Sequence, residues 1–411
     1  MSQKEKLLLF VLACLNFTHI MDFMIMMPLG PQLMRHFDIS PQEFGLLVSA
    51  YSFSAGLSGF FVAFIADKFP RKQIMLIAYT GFVVGTLACA MAPTFGLLMA
   101  ARTFAGVFGG VLGAQVMSAV SDVFEYERRA SAMGVVMTAF SVASVVGVPL
   151  GLYLASEFSW HAPFWFVGIV GIAVIGLIWR YVPRLDGHLQ NPSQLKTPPF
   201  AAITNILSDT NQLRALWLTA TIMLGHFSII PFIAPFLTAN AHFSENKLYL
   251  IYAVGGGLTL FTAPLVGKLA DRQGKYPVFV IFALLSMIPM WLITNSTSNR
   301  LFSVLGTAAI FFVFSNGRLI PTQAMTSSVV LPQQRGSFMA INTSLQLLMQ
   351  SVAVYLAGLI IQKMPDGKLL HYDWVGYGAM LFIFFSIFIA KTVKPVDKIT
   401  PPIEKSEVLE C

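Results

Sequence analysis

Long apolar stretches separated by short polar ones make up nearly the whole chain. A helix needs about 20 apolar residues to cross the hydrocarbon core of a bilayer, and twelve stretches come close to or exceed that length. The pattern therefore predicts an all-α integral membrane protein of about twelve transmembrane helices, near residues 7–29, 43–66, 74–92, 95–120, 130–155, 163–182, 215–237, 248–270, 277–295, 301–325, 337–362 and 373–391.

One polar interval divides this pattern into two sets of six. Residues 183–214 are rich in Pro, Asn, Gln and Ser and form the longest interior break between apolar stretches. We expect an N-terminal six-helix half at 1–182, a central cytoplasmic loop at 183–214 and a C-terminal six-helix half at 215–391. The charged segment 392–411 is expected to be a cytoplasmic tail.

Composition argues against a soluble protein. Hydrophobic residues make up 56% of the chain and charged residues 11%, whereas soluble domains carry roughly 25% charged residues. Lys4 and Lys6 precede an apolar stretch too long for a signal peptide, so we expect the first span to be retained. Cys14, Cys89 and Cys411 lack the spacing of metal ligands or of a disulfide framework, so neither a metal nor a cofactor is expected.

The basic residues predict the orientation of the chain. Most of the 26 Lys and Arg residues fall on the side of the membrane that carries the N-terminus, whereas the opposite loops hold Arg35, Lys247, Arg300, Lys363 and Lys368. By the positive-inside rule both termini are then cytoplasmic, in a multi-pass protein of the cell inner membrane. No basic cluster interleaved with aromatic residues is present, so a nucleic-acid partner is not expected.

Short motifs recur about half a chain apart. An acidic residue followed by basic ones comes after the second and the eighth spans, and two further pairs agree with the same offset. The pairs are residues 67–72 with 271–275, 115–120 with 323–329, and 128–133 with 334–339. Parallel six-helix repeats are a known transporter architecture, in which the substrate site lies near the midplane between the halves.

Three motifs carry a family resemblance. Residues 267–275 (GKLADRQGK) resemble the loop signature of the major facilitator superfamily, and residues 63–72 resemble a degraded copy of it. Residues 102–106 (RTFAG) resemble the R-x-x-x-G motif of that superfamily, and 147–151 (GVPLG) resemble the antiporter motif of its drug:proton antiporter and arabinose-efflux-like branch. The resemblance covers essentially the whole chain and implies the major facilitator fold, with transport by alternating access.

The repeated loop motif supplies candidate gating residues. A carboxylate at a helix end can face the positive N-terminus of a neighbouring helix, and a basic side chain can pair with acids at the same surface. Links of this kind would break when the halves rock apart. The candidates are Asp67, Arg71, Asp271, Arg272 and Lys275. For the basic residues, simple positive-inside anchoring is the alternative.

The motif at 147–151 has a mechanical interpretation. Gly147 and Gly151 permit close helix approach, and Pro149 removes one backbone hydrogen bond and bends the helix. A bent, tightly packed helix could seal the pathway against ion leak. Plain helix packing, with no role in coupling, is the alternative.

Ionisable residues inside the spans are costly and therefore mark function. Asp22 and Arg102 each lie about seven residues from the outer end of a span, which puts both about 10 Å deep at 1.5 Å per residue. His19 is one turn from Asp22. Burial disfavours a charged carboxylate and a nearby arginine favours it, so a moving Arg102 could switch Asp22 between holding and releasing a proton. A permanent structural ion pair is the alternative.

Polar residues of other spans could line the same cavity. We assign Asn16, Gln115, His226, Asn316, Arg318 and Gln346 to the substrate cavity. For His226, a hydrogen bond to a neighbouring helix is the alternative.

The prediction is a monomeric secondary transporter that moves a small molecule across the lipid bilayer, with proton-coupled efflux as its mode. Uptake or facilitated diffusion on the same fold is the alternative mode. A membrane-embedded enzyme would need a catalytic constellation at one depth, for which His19 with Asp22 is the single candidate. A phosphate-binding loop is absent from the sequence, which argues against an ATP-driven pump.

Overall fold

The chain folds into a bundle of long helices. The computed structural model describes residues 2–62, 68–186, 206–296, 298–331 and 335–396. Twelve helical segments in this part of the chain are long and apolar enough to cross a membrane. The predicted all-α membrane architecture is therefore confirmed.

The first half of the chain, up to residue 186, holds six of these spans in eight helices. A π-helical segment, Ala143–Gly147, joins two of the helices within the fifth span. The helices are α1 (Gln3–Ile25), α2 (Gly30–His36), α3 (Pro41–Val62), α4 (Arg71–Ala90), α5 (Phe95–Val123), α6 (Tyr126–Val142), α7 (Val148–Glu157) and α8 (Ala162–Tyr181).

The second half, from residue 206 on, holds the other six spans. Its helices are α9 (Thr210–Phe227), α10 (Ile230–Asn240), α11 (Leu248–Gln273), α12 (Lys275–Thr294), α13 (Leu301–Ser327), α14 (Arg335–Ile360) and α15 (Tyr372–Thr392). A short antiparallel hairpin, β1 (Gln362–Lys363) with β2 (Leu369–Leu370), connects the last two helices.

Side-chain caps begin several of the helices. Ser2 and Glu5 form a reciprocal capping box at the start of α1. Thr94 accepts a hydrogen bond from Leu97 N at the start of α5, and Asp209 accepts from Asn211 N and Gln212 N at the start of α9. These caps satisfy backbone N–H groups that have no partner within the helix.

Proline breaks two spans that the apolar pattern predicts as continuous. The predicted first span, 7–29, ends as α1 at Ile25, because Pro28 lacks a backbone N–H and disfavours a helical conformation at the residue before it. The predicted seventh span, 215–237, is interrupted between α9 and α10, and Pro231 lies in the first turn of α10. Within the predicted central loop, 187–205 lie outside the described residues, and α9 already begins at Thr210.

The ends of the helices form two faces. Arg128 pairs with Glu5, and Asn211 donates to the carbonyl of Lys394. An even number of spans separates these positions along the chain, so the four residues lie at one end of the bundle. We call this end the terminal face. The opposite end, which carries the connections after α1 and after α10, is called the far face.

The two halves meet at the far face and at mid-depth. The largest hydrophobic cluster combines Met26, Leu29 and Phe44 from the first half with Phe232 and Phe236 from the second. Hydrogen bonds and ion pairs between described residues of different halves join Arg35 to Glu245, Lys363 to Asp38, and Gln350 to Ser52. These links lie at the far face or midway along α3, so the far face is closed.

Candidate functional site

A buried ion pair lies inside the first half. Arg102 Nη1 of α5 donates to Asp22 Oδ2 of α1 at 2.7 Å, and both side chains are almost completely excluded from solvent, at 1% and 0% exposure. The structure thus brings together the two charged residues that were predicted, from their distance to the ends of their spans, to lie at one depth. Such a pair stabilises each charge through the other, and loss of one partner leaves an uncompensated buried charge.

Two neutral residues contact the pair directly. Thr86 of α4 donates a hydrogen bond to Asp22 Oδ1 at 3.1 Å. The guanidinium carbon of Arg102 lies 4.4 Å from the centre of the Tyr51 ring, which is cation–π distance. The sequence did not indicate either contact, because one Thr and one Tyr among many carry no signal of their own.

His19 contributes to the aromatic wall beside the pair. Its ring centre is 5.5 Å from that of Phe82 and 6.4 Å from that of Tyr51. Phe23 packs against Tyr51 as well, at 5.7 Å. These three aromatic side chains therefore pack as one group beside the ion pair. Its predicted part in proton coupling stays a prediction.

Glycines bring α5 close enough to α3 for Tyr51 to lie beneath Arg102. A methyl group at Gly106 would overlap Ser54 Oγ, and one at Gly110 would overlap the carbonyl oxygen of Ala55. The R-x-x-x-G motif thus has a local physical cause, because Arg102 and the glycine one turn later belong to the same contact with α3.

A second buried arginine lies in the other half. Arg318 of α13 is 0% exposed. Its Nη1 donates to Ser286 Oγ of α12 at 2.5 Å, and its Nη2 is 3.3 Å from His226 Nδ1 of α9. The structure thus brings together two of the predicted cavity residues and adds Ser286, a neutral residue that the sequence did not single out.

The remaining predicted cavity residues are dispersed. Asn16 donates to the carbonyl of Val136 at 3.4 Å, and Asn316 donates to Phe312 of its own helix at 2.9 Å. Gln115 is buried and Gln346 half-buried. Asn316 is thus engaged by its own helix, while the cavity role of the others stays a prediction.

The GVPLG segment packs on α1 next to Asp22. A methyl group at Gly151 would lie 2.6 Å from Ile25 Cδ1, and one at Gly147 would lie 3.3 Å from Met21. The π-helical segment ends at Gly147, two residues before Pro149. The motif therefore combines a distorted backbone with close contact to the helix that carries the buried carboxylate.

The predicted gating residues that the structure describes lie at the terminal face. Asp67 lies outside the described residues. Arg71 pairs with Asp122 of α5 at 3.3 Å, within the first half. Asp271 and Arg272 are exposed, and Lys275 begins α12 directly after Gly274, whose φ is +96°. Their gating role stays a prediction.

The far face carries ion pairs that the sequence did not predict. Arg35 donates from Nη1 and Nη2 to the two carboxylate oxygens of Glu245, at 2.5 and 3.0 Å. The hydrogen bond to Glu245 raises the pKa of Arg35 above its ordinary value. This pair joins α2 to the turn before α11, so it links the two halves on the face that is closed.

Twelve span-length helical segments among the described residues, with charged groups buried between them, define a polytopic membrane protein. The chain belongs to the Major Facilitator Superfamily, whose family model matches residues 12–354 and 215–408. It is therefore a multi-pass membrane transporter, and this membership sets aside the enzyme alternative.

Relatives and solved structures agree with this assignment. An uncharacterized MFS-type transporter of Bacillus subtilis, YceJ, is 24% identical over 380 residues, which are 92% of this chain and 94% of the relative. A probable sugar efflux transporter of Helicobacter pylori is 23% identical over 255 residues, which are 62% and 63% of the two chains.

Two solved structures share the fold. A bacterial homologue of the human lysosomal transporter Spinster, in an inward-facing and unoccupied conformation, has a TM-score of 0.75 at 16% identity, over 96% of this chain and 97% of that one. A D-xylose-proton symporter has a TM-score of 0.76 at 15% identity, over 95% and 98%. At these identities the likeness concerns the fold alone.

Proposed function

We propose that this transporter exports a small molecule in exchange for protons, with Asp22 as the proton-binding group. The observation that carries the proposal is the buried contact between Asp22 and Arg102. A carboxylate that loses its arginine partner in a dry site takes up a proton, because burial disfavours its charge. Movement of α5 relative to α1 during alternating access would therefore bind and release one proton per cycle.

The proposed orientation is compatible with export. The excess of Lys and Arg supports a cytoplasmic terminal face in the inner membrane. The closed far face would then be the outer face, and the described conformation would be open to the cytoplasm. An exporter takes up its substrate from that side. The antiporter-like segment at 147–151, packed on α1, supports exchange of substrate and proton rather than co-transport.

Proton movement can be measured directly. The purified protein is reconstituted into liposomes that contain the pH dye pyranine, and D-xylose, gluconate and ethidium are tested as probes with and without a pH gradient. We expect at least one probe to drive proton movement in the wild type and none in Asp22→Asn. Asp366→Asn is the matched control, since Asp366 is an exposed hairpin carboxylate near Lys368. Undiminished coupling in a folded Asp22→Asn protein would rule out the assignment.

A further inference from the structure

Arg318 is a buried cation surrounded by neutral groups. Ser286 Oγ accepts from its Nη1 at 2.5 Å, and Met290 Sδ lies 4.0 Å from the same atom. Arginine has no acceptor atom, so His226 Nδ1 must accept from Nη2, which puts the imidazole proton on Nε2 and leaves the ring uncharged. Within the described residues, no acidic side chain pairs with Arg318.

The first half shows the same arrangement with a carboxylate in place. Arg102 on the fourth span is held by Asp22 of the first span, with Thr86 of the third span beside it. Arg318 on the tenth span is held by His226 of the seventh, with Ser286 of the ninth beside it, about half a chain later. The two sites occupy corresponding positions in the six-helix repeats, and they differ in that His226 stands where the first half has Asp22.

This difference leaves one positive charge without a counter-charge in the part of the chain that the structure describes. Arginine stays protonated in proteins, so burial cannot neutralise Arg318 by deprotonation. An uncompensated buried charge is costly, and a carboxylate or a similar oxyanion offers the planar pair of acceptors that a guanidinium binds best. Nε of Arg318, which has no hydrogen-bond partner among the described residues, provides a further donor for such a group.

The groups around Arg318 suit the rest of an organic anion. The His226 ring lies nearly parallel to Phe311, at 9° and 6.4 Å between centres, and meets Phe227 edge-on at 5.0 Å. These rings form an apolar wall next to the charged group. Arg318 itself is enclosed in this conformation, so a ligand would reach it when the helices rearrange during transport.

We propose that Arg318, together with His226 and Ser286, binds the negatively charged group of the substrate, so that the transported molecule is a small organic anion. The proposal rests on the proposed transport function and names its substrate class. It assigns the two buried arginines different tasks. Arg102 pairs with the internal carboxylate of Asp22, and Arg318 pairs with the anionic group of the substrate.

Thermal unfolding of the detergent-purified protein tests this assignment with matched probes. Formate and benzoate carry a carboxylate, while formamide and benzamide have nearly the same shapes without the charge. We expect the two anions to raise the apparent Tm of the wild type by several degrees in a saturable manner. The two amides should have no such effect. Equal effects of anions and amides would overturn the proposal.

Ser286→Asp supplies the missing counter-charge from within the protein. Because Ser286 Oγ is 2.5 Å from Arg318 Nη1, a carboxylate at this position can pair with the guanidinium. The variant should unfold at a higher temperature than the wild type without any anion, and it should lose the response to formate and benzoate. Arg318→Gln should also lose the response, whereas Arg300→Gln, a change in an exposed loop, should keep it. An unchanged response in Ser286→Asp would overturn the assignment of Arg318.

The outcome is separable from that of proton coupling. Asp22→Asn should keep the anion response, because Asp22 belongs to the other half. A protein that responds to formate through Arg318 but shows no coupled proton movement would retain this inference and lose the proposed exchange mechanism. Coupled proton movement with a neutral probe, together with no anion response, would retain the proposed exchange mechanism and overturn this inference.

Discussion

Arg35 and Glu245 join the two halves of the transporter by a pair of parallel hydrogen bonds, at 2.5 and 3.0 Å, on the closed face. Arg35 remains 68% exposed, so the pair contributes little to folding stability, about 0–1 kcal/mol for exposed pairs in general. Because the pair lies between the two halves, it affects the conformational equilibrium of the transporter. The pair exists in the conformation with a closed far face and would have to break when that face opens, so it biases the equilibrium between the two conformations.

Charge reversal at this pair should open the far face. Ser52 lies where α3 meets α14 and accepts a hydrogen bond from Gln350 at 3.0 Å, so a cysteine placed there reports separation of the halves. In a Ser52→Cys protein with the native cysteines replaced, Arg35→Glu should raise the rate of labelling by a membrane-impermeant maleimide several-fold.

The double change Arg35→Glu with Glu245→Arg restores opposite charges and should return the labelling rate to that of the parent protein. Labelling that is equally fast in the single and the double variant would mean that the pair does not control this face.

Close packing between α3 and α5 should make Gly110 intolerant of a methyl group. The added Cβ would overlap the carbonyl oxygen of Ala55, and overpacking of this kind costs about 1–3 kcal/mol. Gly110→Ala should therefore lower the apparent Tm in detergent. Gly113→Ala on the same helix is the matched control, since its Cβ would meet no atom within 4 Å. Equal Tm values for the two variants would contradict the packing described here.

The features that could be predicted from the sequence are those set by the position of a single charged residue within an apolar stretch. A charged residue inside an apolar stretch stands out, and the length of helix above it sets its depth, so Asp22 and Arg102 could be placed at one level. The structure has them paired at 2.7 Å. The count of twelve spans follows from the same lengths.

Features that depend on neutral residues or on tertiary arrangement could not be predicted. Thr86 and Ser286 are hydroxyl residues of a kind found in many spans, and only the packing of helices shows that they touch Asp22 and Arg318. The contact between Arg35 and Glu245 joins positions more than half a chain apart. No local pattern links such residues, because their meeting depends on how the two halves close.

The junction between α11 and α12 should tolerate loss of charge in folding but not in transport. Asp271 and Arg272 are exposed on the terminal face, which would have to close for the far face to open. Asp271→Asn keeps the shape of the side chain and removes its charge. We expect unchanged membrane expression and Tm, with slower coupled proton movement in liposomes.

Gly274, at the junction between α11 and α12, offers a second test, because its φ of +96° is one that residues with a Cβ rarely adopt. Gly274→Ala should therefore lower both Tm and transport, whereas Gly267→Ala, with no atom within 4 Å of its added Cβ, should change neither. Wild-type transport by Asp271→Asn would mean that the charge of Asp271 has no part in gating.

Gly151 should protect the coupling site against leak. It faces Ile25 of α1, three residues after Asp22, and an added Cβ would lie 2.6 Å from Ile25 Cδ1. A larger side chain at Gly151 must therefore displace α1 next to the buried carboxylate or push α7 away from it. Either movement loosens the seal around Asp22.

In liposomes containing pyranine and no substrate, Gly151→Val should dissipate an imposed pH gradient several-fold faster than the wild type. Gly134→Val, in the same span but with open space around its Cβ, should leave the rate unchanged. If a folded Gly151→Val protein holds the gradient as well as the wild type does, the segment serves packing alone.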